Sequence, residues 1–278
     1  MASLPALLTS SPSLLFTQCL QNDFVQPVGR YDVVPNRLHV GFAEALRLMG
    51  ETPVEGPVAR LMRWAAGTSD DVLRVIHIRD WHDGADPTQH AHLERFGSHC
   101  IAGSPGAAFA FVDEMSARKD VTLVDTITLN DFSGTMLQKT LAPFAEVPVR
   151  AGVVGVWTEA KVSFLCYELI TRYPKMEVAV CSALCASSSR QQHFEALDQL
   201  DRILGVRVID SLGEFIDWLG GAASTLALWS GWEARRTLGL PRSVTPVAVI
   251  PLGRPRGLPT PAPVPPLGNV VHLDRYGH

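Results

Sequence analysis

Six short apolar runs, spaced along the first 210 residues, constrain this chain more than any other feature. They are "SLLFTQC" (13–19), "DVLRVIHI" (71–78), "VTLVD" (121–125), "VRAGVVGV" (149–156), "MEVAVCS" (176–182) and "VRVID" (206–210). Each is rich in β-branched residues and almost continuously apolar, without the alternation of a strand that has one wet face. Such runs fit strands covered on both sides, which is the situation in a parallel sheet. Between them lie segments of helical periodicity, at 36–49, 57–66, 105–118, 134–142, 158–172, 187–202 and 211–218. Alternation of this kind predicts a three-layer α/β/α, doubly wound, Rossmann-like fold on a mostly parallel six-stranded sheet.

The first 220 residues are expected to form one domain, and the composition changes after them. Residues 222–238 read as one more amphipathic helix. From Pro241 onward the chain holds nine of its 20 prolines. Such a segment cannot build a core and reads as an extended, polyproline-like extension spanning 221–278 with the helix. It is a surface-draped tail, or an arm that wraps a neighbouring subunit.

Composition narrows the function. The formal charge is −4 and no basic run interleaves with aromatics, which argues against a nucleic-acid partner. No apolar stretch is long enough to span a membrane, and the N-terminal segment reads as the approach to a strand rather than a signal peptide. Five cysteines (Cys19, Cys100, Cys166, Cys181, Cys185) show no CxxC pair and no disulfide pattern, so a reducing cytoplasm is expected.

In an open parallel sheet, chemistry collects beyond the carboxyl ends of the strands. That rule selects Gln21-Asn22-Asp23, Asp80-Trp81-His82, Asp125-Thr126 and the turn from Trp157 to Lys161. Asp23, taken alone, reads equally as a loop residue or helix cap. The segment "HIRDWHDGADPTQHAHLERFGSHC" carries five of the nine histidines: His77, His82, His90, His92 and His99. Asp80 and His82 stand at i and i+2 of an extended segment, so their side chains can share a face. A later histidine would complete a carboxylate–imidazole site with positions left open, the pattern of a catalytic metal. The plainer alternative is a set of solvated loop histidines.

Taken in order, "QNDF", "RDWHD", "SHCIAGSPGA", "GVWT" and "CSALCASSS" resemble the strand-end motifs of the isochorismatase-like superfamily of cysteine hydrolases. The nicotinamidase-like branch is nearest, and the resemblance covers roughly residues 12–218. It implies a hydrolase of small amides acting through an Asp–Lys–Cys triad, a small-molecule ligand at the strand ends and a homo-oligomer. By position, the aspartate falls on Asp23. The ligands for a divalent metal such as zinc fall on Asp80, His82 and His99. The oxyanion turn involves Val156, Trp157 and Lys161, with a cis peptide before Trp157.

Two departures stand beside these matches. The nucleophilic cysteine falls on Lys161, and the catalytic lysine falls near Thr126. Cys166 is five residues further along the helix, on roughly its opposite face, and does not replace the thiol. A lysine at a helix start meets an unfavourable field, and burial also disfavours its charge, so a lowered pKa is expected for Lys161. Asp23, with Asp125 as a second candidate, is expected to pair with it. Three functions follow: a degenerate hydrolase that binds a small molecule or metal; an enzyme with rewired chemistry, using Asp23 as acid or base with Lys161 or a metal; or a scaffolding subunit acting through its proline-rich tail.

Overall fold

The structure is a computed structural model, and it describes residues 12–220 apart from 53, 112–117 and 119. The expected helix at 222–238 and the proline-rich extension lie outside these residues. Six strands form one parallel sheet: β1 (Ser13–Gln18), β2 (Leu73–Asp80), β3 (Thr122–Thr126), β4 (Val149–Val156), β5 (Met176–Ala186) and β6 (Arg207–Ile209). Their spatial order is β3-β2-β1-β4-β5-β6, with every neighbouring pair parallel. The chain therefore builds outward from β1 through β2 to β3, then returns to the other side of β1 to lay down β4, β5 and β6. The crevice between β1 and β4 is the switch point at which such sheets place their ligands.

The helices are α1 (Asn22–Val25), α2 (Phe42–Met49), α3 (Pro57–Gly67), α4 (Pro87–Phe96), α5 (Leu137–Leu141), α6 (Ser163–Arg172), α7 (Arg190–Arg202) and α8 (Leu212–Gly220). Alternate strand residues feed opposite layers, as the period of two requires. Leu15, Val75 and Val154 pack with Leu48, Leu61 and Phe215 of α2, α3 and α8. Leu14, Phe16, Ile76 and Val153 pack with Leu137, Leu165, Leu169 and Leu197 of α5, α6 and α7. Because both faces are covered, the strands had to read as unbroken apolar runs. Among the described residues no helix is long and apolar enough to cross a membrane.

The elements differ from expectation in four places. Helix α2 starts at Phe42, after Gly41 at φ 82°, and not at residue 36. The segment from 105 yields only a 3-10 turn over Pro105–Ala107; part of the helix expected there lies outside the described residues. Strand β5 continues to Ala186 through a register shift opposite Val153–Gly155. Helix α4 occupies a stretch that reads as a histidine-bearing loop. Its start is encoded nonetheless: Asp86 accepts from the Thr88 amide as N-cap, and Pro87 takes the first helical position.

One buried histidine sits away from the strand ends. His77 of β2 shares a 2.6 Å hydrogen bond between its Nδ1 and Thr17 Oγ1, and its ring packs at a tilt against both Phe109 and Phe111, which stack on each other. Burial lowers its pKa from the ordinary value to about 4. The unfolded chain takes up this proton near pH 6.5, the folded chain only near pH 4. Stability associated with His77 is thus intact at neutral pH and declines as pH falls through that window, by up to about 3 kcal/mol. His193 is shifted the same way, so the test is a difference. His77→Gln should show a smaller drop in urea midpoint between about pH 7 and pH 4.5 than the parent chain, and identical drops would refute this role.

Candidate functional site

The site is built at the carboxyl ends of β1, β2, β3 and β4, and its centre is Lys161. The residue lies in a tight π-type turn over Thr158–Val162, which connects β4 to α6. The Val156–Trp157 peptide is cis. The amides of Ala160 and Val162 both donate to the Trp157 carbonyl at 3.1 Å. Lys161 is only 5% exposed. Its ammonium donates to Asp80 Oδ1 at 2.9 Å, to Asp131 Oδ1 at 3.0 Å and to the Thr128 carbonyl at 2.8 Å. An ammonium has three protons, and all three are committed.

Each acceptor is itself fixed. Gln21 clamps the backbone of Asp80, accepting from its amide at 2.8 Å and donating to its carbonyl at 2.7 Å. Cys19 Sγ donates to Asp80 Oδ1 at 3.6 Å. Asp131 Oδ2 accepts from Gln18 Nε2 at 2.9 Å. Thr126 Oγ1 donates to the Thr128 carbonyl at 3.1 Å and accepts from the Thr128 amide at 3.3 Å, holding the loop that presents that carbonyl. Thr126 is therefore part of the lysine's seat and takes no place as a cation.

These contacts correct two expectations. Asp23 does not pair with Lys161: its carboxylate accepts from the Cys100 amide at 2.7 Å, and it is packed so closely on Gly106 that a Cβ there would stand 2.2 Å from it. Asp125 is drawn to the surface by Arg79, at 2.6 Å. The pKa of Lys161 is raised, not lowered. Burial pulls it down as expected, but Asp80 above all, together with Asp131, outweighs that effect. Burial likewise pushes Asp80 up, yet the neighbouring Lys161 ammonium holds its carboxyl well below the usual range. Asp131 is pushed up by burial, which Lys161 only partly offsets. Of two carboxylates sharing one ammonium, Asp80 is the more firmly ionised. Sequence reasoning misses Asp131 altogether: it lies in a loop after β3 with no motif around it, and only the fold brings it under Lys161.

Beside this cluster lie three imidazoles. The ligand-capable atoms of His82, His92 and His99 all fall within 4.8 Å of one another. His82 Nδ1 donates to Gln89 Oε1 at 2.9 Å; the Gln89 amide is oriented by its own bond to Asp86 Oδ2. That leaves His82 Nε2 with its lone pair, buried and without a partner. His99 Nδ1 donates to the Gly97 carbonyl at 2.6 Å, which leaves Nε2 as an acceptor, and it takes a hydrogen bond from His92 Nε2 at 3.3 Å. Ligand histidines are held in this way, with one nitrogen tied to an acceptor and the other turned to the ion. The residues thus fit a divalent cation. Of the three expected ligands, His82 and His99 belong to the group, whereas Asp80 is turned to Lys161, with its other oxygen 3.9 Å from His82 Nε2. His92 comes from α4, one turn after Gln89, so the helix that the sequence pattern conceals supplies both a histidine and the group that orients its neighbour.

All five cysteines are buried and free. Burial raises the thiol pKa of each, to about 12 for Cys185. No thiolate is available among them at neutral pH.

Known structures share this architecture. The isochorismatase-like hydrolase of Alkaliphilus metalliredigens superposes with a TM-score of 0.54 at 19% identity, over 74% of this chain and 96% of that one. The nicotinamidase/pyrazinamidase of Bacillus subtilis gives a TM-score of 0.56 at 18% identity, over 71% and 98%. The pyrazinamidase of Pyrococcus horikoshii, solved in complex with zinc, gives 0.53 at 19%, over 72% and 100%. A search of curated protein sequences gives no match. At these identities the superpositions speak for the fold. The isochorismatase domain model matches residues 20–211, so the chain belongs to the isochorismatase family.

Proposed function

We propose that this chain is a degenerate member of the family, which has given up thiolate hydrolysis of amides and keeps its strand-end site for binding a divalent metal and a small molecule. The observation that carries this reading is the full commitment of Lys161. A lysine that attacks a carbonyl needs a neutral, lone-pair-bearing nitrogen. Here Nζ is an ammonium held above its ordinary pKa, with each proton given to a fixed acceptor. It stands where the family's nucleophile falls and can neither attack nor donate to a developing oxyanion. The buried, protonated cysteines offer no substitute.

His82, His92 and His99 are the residues that would hold the ion, in keeping with the zinc complex of the Pyrococcus pyrazinamidase. A zinc-class ion held there supplies Lewis-acid polarisation of a ligand oxygen. Around it, Asp23 presents a carboxylate fixed by the Cys100 amide, and the clamp of Gln18 and Gln21 keeps Asp131 and Asp80 in place. Purified full-length protein, loaded with zinc and assayed with nicotinamide and pyrazinamide, should release ammonia no faster than a buffer control. Turnover well above that control, abolished by Lys161→Ala, would overturn the proposal.

A further inference from the structure

We infer that Lys161 withdraws Asp80 from the metal's ligand set and leaves the ion to His82, His92 and His99. This inference rests on the metal-binding reading above and goes beyond it, because it assigns Lys161 a role in setting metal affinity. The ligand set expected from the sequence contains Asp80 and lacks His92. In the structure Asp80 Oδ1 serves Lys161 at 2.9 Å and Cys19 at 3.6 Å. Its backbone is clamped on both sides by Gln21, and although its other oxygen comes to 3.9 Å from His82 Nε2, it does not join the group of ligand atoms that the three imidazoles form within 4.8 Å. The ammonium is equally immobile, because Thr128 and Asp131 hold it independently of Asp80, and Gln18 holds Asp131. A carboxylate that shares its charge with a contacting ammonium is a poorer donor to a dication, which the same ammonium repels. The three histidines need no such sacrifice: two are already oriented through Nδ1, and α4 carries the third to within 3.3 Å of its neighbour.

The inference is tested by cobalt(II) and zinc(II) titration of the full-length chain, stripped of metal, with the cobalt d–d spectrum reporting the ligand set. Lys161→Met alone would bury two unopposed carboxylates and could unfold. The informative variant is therefore Lys161→Met/Asp131→Asn, which removes one charge of each sign and keeps the net charge constant. With Asp80 released, it should bind zinc about tenfold or more tightly than the parent and show a changed cobalt spectrum. Adding Asp80→Asn to it should abolish both changes. In the parent background, Asp80→Asn should alter zinc affinity by less than about fivefold. A loss of about 10- to 100-fold in that background, of the size expected when a ligand or its support is removed, would show that Asp80 ligates despite Lys161 and would overturn the inference, as would no gain in the double variant. If the parent takes up no metal and His82→Ala makes no difference, the metal-binding reading itself fails. If the parent binds and His82→Ala abolishes binding, that reading survives whatever becomes of the Asp80 assignment.

Discussion

Lys161→Met should destabilise the fold by about 3–5 kcal/mol, the range found when one partner of a buried ion pair is removed and the other charge is stranded. The substitution nearly preserves volume, so cavity formation contributes little. What it leaves is two carboxylates, Asp80 and Asp131, that were bonded to one ammonium at 2.9 and 3.0 Å and are now buried with each other. Deprived of the cation, both acquire raised pKa values in the fold. A group whose folded pKa lies above its unfolded one contributes stability only while it is protonated, and that contribution is lost as pH rises through the folded pKa. The deficit of the variant should accordingly be largest at neutral pH and should shrink on acidification toward about pH 5. Urea denaturation at both pH values measures this directly. A loss below about 1 kcal/mol at neutral pH, the range of an exposed pair, would mean that Lys161 is not the buried counter-ion described here.

The prominence of Lys161 is legible in the sequence, but its partners are not. Continuous apolar runs mark which segments are strands, with ends off by up to about four residues as in β5 (Met176–Ala186), and in a doubly wound sheet the strand ends fix which residues face the crevice. Asp23, Asp80, His82, Thr126 and Lys161 are all selected in that way. Pairing within the crevice is a matter of a few ångströms and of loop conformation, which periodicity does not encode. Asp131 reaches Lys161 because residues 127–131 fold back over the end of β3, held by side-chain bonds of Thr126, Thr128 and Asn130 to nearby backbone. Asp23 misses Lys161 because the Cys100 amide claims it from a loop 77 residues away in the chain. Field and burial acting on an isolated lysine lower its pKa. The structure reverses the sign because two carboxylates, not one, surround the ammonium. His92 is hidden for a different reason: the histidine-rich, polar composition of 82–99 reads as loop and masks the helix start at Asp86-Pro87, although both signals of that start stand in the sequence.

Gly155→Ala should be the most damaging single-methyl addition in the described part of the sheet. Gly155 lies near the end of β4 at φ 127°, a conformation that L side chains rarely adopt. A Cβ at this position would stand 2.0 Å from the Gln18 carbonyl oxygen and 2.8 Å from the Gln18 amide nitrogen. Both are backbone atoms of β1, with which Gly155 is paired. A flexible side chain can move aside from such a methyl, whereas a central strand locked between β2 and β4 cannot. The conformational penalty alone is about 1–2 kcal/mol, and overpacking against a fixed neighbour adds about 1–3 kcal/mol. The expected loss is therefore about 3 kcal/mol or more. The damage should also reach the site, because Gln18 holds Asp131 and Asp131 holds Lys161. Gly134→Ala separates the two contributions, since Gly134 shares a positive φ of 70° but has nothing within 4 Å of the added methyl. Thermal melts and soluble yield should rank Gly155→Ala well below Gly134→Ala. Equal behaviour of the two would mean that β1 yields at Gln18, and the rigid seat attributed to Asp131 and Lys161 would lose its foundation.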